Sequence, residues 1–99
     1  MRFLVLTEMT AAPPPDVGLQ LLAAEQEWRA RYADRLETYA WFATGGGAGI
    51  IDVDDAETLF AAVNEHPFCP YTNVEVRPLA DATDAARQLG ALLAGAVAA

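Results

Sequence analysis

Lysine and serine are missing from this chain of 99 residues, and cysteine and histidine occur once each. The lack of serine excludes a serine nucleophile. A single cysteine, Cys69, excludes a disulfide within the chain. One cysteine and one histidine, His66, cannot by themselves supply the ligands of a zinc site, so we predict no metal centre.

Positive charge is also scarce. The six basic residues are all arginine and face fourteen Asp and Glu, which gives a formal net charge of −8 at pH 7. Neutralising phosphate needs a basic face, so nucleic acid is not an expected partner, and an anionic membrane would repel the chain. No hydrophobic run approaches the ~18 residues that cross a bilayer, and the first residues do not resemble a signal peptide. We expect a cytoplasmic protein.

Apolar side chains are present in excess. They make up 54% of the residues, above the usual ~45–50%. A chain of this length forms one domain and buries only about 60–65% of the surface that it exposes when unfolded. The excess therefore predicts an apolar surface that is covered in a homo-oligomer, either a dimer or a ring of dimers.

Hydrophobic periodicity predicts six elements and a tail helix. The predicted elements are strand 2–8, helix 17–34, strand 36–44, strand 50–53, a helix that begins at Asp54 or Asp55, strand 71–79 and a helix over 83–97. The glycine-rich stretch 45–49 lacks the lysine of a phosphate-binding loop, and a strand follows it, so we interpret it as a hairpin turn.

The order β-α-β-β-α-β is that of a split βαβ unit, which predicts an α+β fold of the ferredoxin-like type. We expect an antiparallel sheet with two helices on one face, within a domain over residues 1–80. Residues 81–99 form a C-terminal helical tail without a core of its own. The second face of the sheet must also be covered, which predicts face-to-face packing across a dimer, as in a dimeric α/β barrel.

Glu25 is the first candidate for chemistry. It lies on the apolar stripe of the first helix, beside Leu21, Leu22 and Trp28. A carboxylate in that position loses hydration, which favours its protonated form and suits it to carry a proton near neutral pH. The structural alternative is a carboxylate that reaches the edge of the helix or pairs with Arg29, one turn further on.

His66 and Tyr39 are candidates for a second proton carrier. His66 ends the second helix, where an imidazole titrates near neutral pH or, alternatively, only complements the negative end of the helix dipole. Tyr39 and Trp41 share a strand face with Glu37; they line a ligand pocket if that face borders a cavity, and form core if it packs on the first helix. Tyr71 has the same two interpretations.

The segment from His66 to Val76 resembles muconolactone isomerases, which have a Pro-x-x-Pro-Tyr turn followed by a strand with a Glu-Val pair. The matching residues here are Pro67, Pro70, Tyr71, Val74, Glu75 and Val76. The resemblance spans roughly residues 1–79 and implies a ferredoxin-like fold, dimeric barrels, rings of dimers and a cofactor-free proton shift in an unsaturated lactone. Glu25 corresponds by position to a family glutamate. The family has His and Lys on its first strand, where this chain has Leu4 and Leu6, which implies a more apolar substrate.

These observations predict an isomerase- or cyclase-like enzyme that uses no cofactor and acts on a small apolar carbonyl compound, a lactone or a polyketide-type intermediate. Glu25 is the expected general base or acid, and His66 or Tyr39 the second proton carrier. The expected substrate-binding residues are Trp28, Arg29, Tyr32, Trp41, Phe68 and Tyr71. Two alternatives stay open: a non-catalytic ligand-binding or assembly protein, and a cofactor-free oxygenase of phenolic polyketides.

Overall fold

The computed structural model describes residues 1–98; Ala99, the last residue of the predicted tail, lies outside the described residues. The elements are β1 (Arg2–Met9), α1 (Pro15–Arg31), β2 (Leu36–Trp41), β3 (Gly47–Asp52), α2 (Ala56–Glu65), a short 3-10 turn (Cys69–Tyr71), β4 (Thr72–Pro78) and α3 (Ala82–Ala98). The predicted α+β, ferredoxin-like order β-α-β-β-α-β with a C-terminal helix is confirmed.

The four strands form one antiparallel sheet in the order β2-β3-β1-β4. In β1, Val5 pairs with Gly49 on one side and with Val76 on the other. Because side chains alternate along a strand, Phe3, Val5, Thr7 and Met9 share the face that α1 and α2 cover. This helix-covered face is called the inner face below, and the opposite one the outer face.

Two local signals position the helices. The first position of a helix accepts proline, because the N–H that proline lacks has no partner there. α1 accordingly begins at Pro15, two residues before the predicted start. Asp55 caps α2, where its side chain accepts a hydrogen bond of 2.7 Å from the backbone N–H of Thr58. A proline therefore marks the start of α1 and a capping aspartate the start of α2. Both helices pack against the inner face.

The hydrophobic core occupies one end of the inner face. It contains Phe3, Ile51, Val53, Leu59 and Ala62, and Phe3 and Ile51 are paired across β1 and β3. Trp28 joins the two helices there, because its Nε1–H donates a 2.9 Å hydrogen bond to the carbonyl of Ala62. A cavity lies between this core and the other end of the inner face.

Two apolar surfaces have no covering element among residues 1–98. The outer face presents Leu4, Leu6, Ala48 and Ile50, which are all partly exposed. Every residue of α3 is exposed, including Leu89, Leu92, Leu93 and Val97. Among residues 1–98, no helix is long and apolar enough to cross a membrane. The homo-oligomer, as a dimer or a ring of dimers, stays a prediction.

Candidate active site

A cavity of about 480 Å³ lies between the inner face of the sheet and the two helices. That volume is within the range of small-molecule sites. The bottom lies against the core, at Trp28, Ile51 and Ala62, and the rim is exposed at Leu19, Trp41 and Phe42. None of the described residues that line it is Asp, Glu or Arg; its polar groups come mainly from Thr7, Tyr39, Trp41, His66, Cys69 and Thr72.

Glycines in β3 shape the floor of this cavity. A side chain at Gly49 would place its Cβ 3.5 Å from Cδ2 of Tyr39, and one at Gly47 would place it 3.6 Å from Cδ1 of Trp41. These are ordinary van der Waals distances, so both aromatic rings lie directly beside the backbone of β3. The predicted hairpin turn is confirmed only at Gly45 and Gly46, which have φ of 100° and 86°. For Gly47 to Gly49 it is wrong, because these residues belong to β3.

A bulge in β2 decides which side chains reach the cavity. Leu36 pairs with Ile51 and Thr38 pairs with Ile50, so Glu37 is an extra residue in this strand. The bulge places Leu36 on the same face as Tyr39 and Trp41, where all three line the cavity. Glu37 instead forms an ion pair of 2.7 Å with Arg2. The predicted strict alternation, with Glu37 beside Tyr39 and Trp41, is therefore wrong at this point.

Glu25 lies behind the cavity wall. It is 1% exposed, and the Arg29 guanidinium donates to both of its carboxylate oxygens, at 2.8 Å each from Nη2. Tyr39 Oη–H donates to Oε1 at 2.8 Å. The carboxylate is thus fully engaged, and the ion pair offsets the loss of hydration that burial imposes. The bond to Glu25 is also the main reason why the pKa of Arg29 is raised.

Tyr39 connects Glu25 to the cavity. Its Oη accepts a 3.1 Å hydrogen bond from Trp41 Nε1–H and lies 3.3 Å from His66 Nε2. Burial, followed by the bond to Glu25, raises the pKa of Tyr39 to about 12. The phenol therefore keeps its proton at neutral pH, and that proton points at the carboxylate.

His66 is the third side chain of this polar cluster, after Glu25 and Tyr39. The backbone N–H of Phe68 donates to its Nδ1 at 3.2 Å, so in the neutral ring the proton is on Nε2, facing Tyr39 Oη. Burial lowers the pKa of His66; Glu25 opposes this effect and Arg29 adds to it. Trp28 packs edge-on against the imidazole, with ring centroids 4.6 Å apart. At neutral pH His66 is thus an uncharged donor toward the cavity.

Three of the other six predicted site residues line the cavity, and three do not. Trp28, Trp41 and Phe68 line the cavity. Arg29 covers the wall from outside, with Cζ 4.9 Å from the ring centroid of Tyr39. Tyr32 is directed away from the cavity, to Glu65 of α2, and Tyr71 is the last residue of the 3-10 turn and lies outside the lining.

Several lining residues were not predicted. Nothing in their residue types indicates a binding site. They are the inner positions of β1 (Val5, Thr7 and Met9), Leu19 and Leu22 of α1, and the glycines of β3. The period-2 pattern of β1 is the one signal that identifies Val5, Thr7 and Met9 as a single face. Within residues 1–98, no group of three or more His, Cys, Asp or Glu side chains is placed to hold a metal ion.

Comparison with known proteins adds two solved structures. No family model and no curated protein sequence matches the chain. The crystal structure of a muconolactone isomerase superposes with a TM-score of 0.73 and 23% identity, covering 82% of this chain and 90% of that one. The 5-chloro-2-hydroxyhydroquinone dehydrochlorinase of Burkholderia phenoliruptrix AC1100, in complex with 2,5-dihydroxybenzoquinone, superposes with a TM-score of 0.67 and 12% identity, covering 85% and 98%. The predicted resemblance to muconolactone isomerases is thus confirmed at the level of the fold: the chain has the fold of muconolactone isomerase.

Proposed function

We propose that this chain is a cofactor-independent enzyme that moves a proton within a neutral, largely apolar carbonyl compound, as an isomerase does. The observation that carries the proposal is the hydrogen-bonded row of His66, Tyr39, Glu25 and Arg29, which connects the cavity to a buried carboxylate. Perturbed titratable groups that converge on an apolar cavity are typical of active sites. The names of two solved structures that share this fold, an isomerase and a dehydrochlorinase, support an enzyme.

The proposed step begins with a C–H bond beside the substrate carbonyl. As that bond breaks, its electron pair enters the carbonyl and forms an enolate. Tyr39 Oη takes the proton, and the proton already on Tyr39 passes to Glu25 Oε1, 2.8 Å away. Return of a proton along the same route to a different carbon completes an isomerisation, with atoms and charge balanced and no co-reactant consumed.

Each neighbour of Tyr39 has a role in this step. Arg29 positions Glu25 for the transfer by donating to both of its oxygens. With a pKa raised to about 12, Tyr39 exchanges one proton for another and does not rest as a phenolate. The Nε2–H of His66 turns from Tyr39 to the enolate oxygen and stabilises the charge that develops there. Where the substrate has a second carbonyl, the same enolate closes a ring, so isomerisation and cyclisation share this first step.

The cavity lining favours an uncharged substrate. A carboxylate or phosphate would enter a site whose described lining has no arginine to receive it, and burying an unpaired charge costs several kcal/mol. Trp28, Trp41 and Phe68 provide apolar surface for a ring, in a volume of about 480 Å³. A neutral lactone, cyclic diketone or small polyketide-type compound fits these properties.

Deuterium uptake tests the proposal without knowledge of the natural substrate. The protein is incubated in D₂O with neutral lactones and cyclic diketones, and incorporation at carbon is followed by mass spectrometry. We expect catalysed exchange that falls by about 10²–10⁴-fold in Glu25→Gln and Tyr39→Phe. Glu37→Gln is the matched control, because that carboxylate pairs with Arg2 away from the cavity. Wild-type exchange rates in a folded Glu25→Gln protein would overturn the assignment.

One observation favours a second candidate, a ligand-binding protein without catalysis. Glu25 lies behind Tyr39, so a molecule in the cavity touches only uncharged groups. This candidate predicts that the same compounds bind and quench tryptophan fluorescence, while their protons exchange no faster than in buffer. Consumption of oxygen with a phenolic compound of the panel would instead indicate an oxygenase.

A further inference from the structure

We propose that Trp41 is a positioning residue, whose Nε1–H keeps the Tyr39 hydroxyl directed at Glu25 during the proton transfer. It does so at the moment when the substrate oxygen takes over the hydrogen bond of His66. The inference rests on the proposed function and adds to it the group that keeps the proton path aligned. The sequence predicts Trp41 only as a substrate-binding residue, and the surface that it offers to a ligand is a separate role.

The hydroxyl of Tyr39 has no free hydrogen-bonding position in the structure. A phenol oxygen has one proton to donate and two lone pairs that accept. The proton is donated to Glu25 Oε1 at 2.8 Å. One lone pair faces Trp41 Nε1–H at 3.1 Å, and the other faces His66 Nε2 at 3.3 Å. A base needs an open lone pair within reach of the proton that it removes. One of the two donors must therefore leave before Tyr39 takes a proton from carbon.

The two bond lengths make His66 the donor that leaves. Its distance of 3.3 Å to Tyr39 Oη is longer than the usual 2.7–3.2 Å of an N–H···O bond, whereas the 3.1 Å of Trp41 is within that range. The imidazole also has a second acceptor to turn to, the enolate oxygen of the substrate. Among residues 1–98, the Trp41 Nε1–H donates to Tyr39 Oη alone. Trp41 is thus the partner that stays.

The indole of Trp41 is held in place although it is 54% exposed. The Cζ of Arg29 lies 5.9 Å from its ring centroid, within the range of a cation–π contact. On the strand side, Trp41 is paired with Gly47 of β3. The same Arg29 guanidinium donates to the carboxylate of Glu25. One cation therefore fixes both the acceptor and the donor that flank the hydroxyl of Tyr39.

An aligned donor is useful in the chemical step itself. While one proton leaves Tyr39 Oη for Glu25 and another arrives from carbon, the oxygen carries excess negative charge. A donor that already points at the oxygen stabilises this charge without reorganisation. Burial and the bond to Glu25 raise the pKa of Tyr39, and the bond from Trp41 acts in the opposite direction. The Trp41 bond thus favours charge on the oxygen, as the transfer requires.

Kinetics of deuterium exchange are the first test. A neutral cyclohexanedione is used over a range of concentrations in D₂O, which separates kcat from KM. Benzothienylalanine in place of Trp41 keeps the shape of the ring but has sulfur where the indole has N–H. We expect kcat to fall about 10-fold, as for a lost hydrogen bond to a charged oxygen. KM should stay at the wild-type value, because an interaction made in the transition state acts on kcat. Trp41→Phe should show the same fall. An unchanged kcat in both folded variants would overturn the proposal, as would a change confined to KM.

NMR of the resting protein tests the hydrogen bond without a substrate. The chain has two indole N–H groups, and Trp28 is an internal control because its Nε1–H donates to the carbonyl of Ala62. In Tyr39→Phe we expect the Trp41 signal to move upfield and to exchange faster with water, while the Trp28 signal stays in place. A Trp41 signal that does not move rejects the positioning role.

The two tests separate this inference from the function on which it rests. If no compound exchanges deuterium but the Trp41 signal moves as expected, the proposed function is wrong and the hold of Trp41 on Tyr39 is supported. If exchange depends on Glu25 but kcat is unchanged in both Trp41 variants, the function is supported and the positioning role is wrong.

Discussion

Tyr39 Oη donates a 2.8 Å hydrogen bond to Glu25 Oε1, so a strand residue and a helix residue meet at the back of the cavity. The same carboxylate receives Arg29 from its own helix. A buried charge is stable only when its partners satisfy it, and here one of those partners is itself a wall of the cavity. Folding of α1 onto the sheet therefore assembles the candidate proton path in the same step.

Replacement of Arg29 should lower the free energy of unfolding, because the buried carboxylate of Glu25 then loses its ion-pair partner. Arg29→Met keeps much of the side-chain length but leaves the carboxylate with Tyr39 as its remaining partner. We expect a loss of about 2 kcal/mol in the free energy of unfolding, measured by urea denaturation, below the 3–5 kcal/mol of a fully buried pair because the Arg29 side chain is 46% exposed. In a Glu25→Gln background the same change should cost much less; an equal loss in both backgrounds would show that the pair is not the cause.

The two tryptophans should differ sharply in their contribution to stability. Trp28→Phe removes the Nε1–H that donates to the carbonyl of Ala62 in the buried contact between α1 and α2. An unsatisfied buried acceptor costs about 1–3 kcal/mol. Trp41→Phe is the matched control, because Trp41 is 54% exposed and its removal should change the urea midpoint little. Equal shifts for both variants would contradict the anchoring role of Trp28.

Periodic elements could be predicted from the sequence because their burial follows the period of the backbone. β1, α2 and β4 lie within a few residues of their predicted bounds, since alternation in a strand and the apolar stripe of a helix report directly which face is covered. The tail helix was predicted without a core of its own, and in the structure all its described residues are exposed.

Features that depend on long-range pairing could not be predicted. Gly47 and Gly49 have no side chains to show a period, and it is pairing with β1 and β2 that makes them part of β3. The bulge at Glu37 puts Leu36 instead of Glu37 on the same face as Tyr39, and a one-residue slip leaves no local trace. Glu25 was identified as a buried carboxylate, but its distance from the cavity depends on the ring of Tyr39 that lies between them.

The glycines of β3 should tolerate alanine less well than those of α3. A Cβ at Gly47 would lie 2.7 Å from the carbonyl oxygen of Ala40, a backbone atom that cannot move without disturbing the strand pair. We expect Gly47→Ala to destabilise the protein by about 1–3 kcal/mol. At Gly90 nothing lies within 4 Å, so Gly90→Ala should be neutral or stabilising by up to ~1 kcal/mol. Thermal unfolding of both variants checks this, and equal tolerance would contradict the close approach of β2 and β3.

His66 should make the protein less stable in mild acid. Burial lowers its pKa in the folded state, so the unfolded chain, with an ordinary histidine pKa of about 6.5, binds a proton first as the pH falls. The stabilisation by neutral His66 is therefore complete above about pH 6.5 and is lost as the pH falls from there to the folded-state pKa. Urea denaturation from pH 8 to pH 5 should show this loss in the wild type but not in His66→Asn, which lacks the imidazole.

The NMR titration of the imidazole in the folded protein should have its midpoint below 6.5. A midpoint at or above that value would mean that Glu25 outweighs burial, and the ring would then be charged when it meets the enolate oxygen.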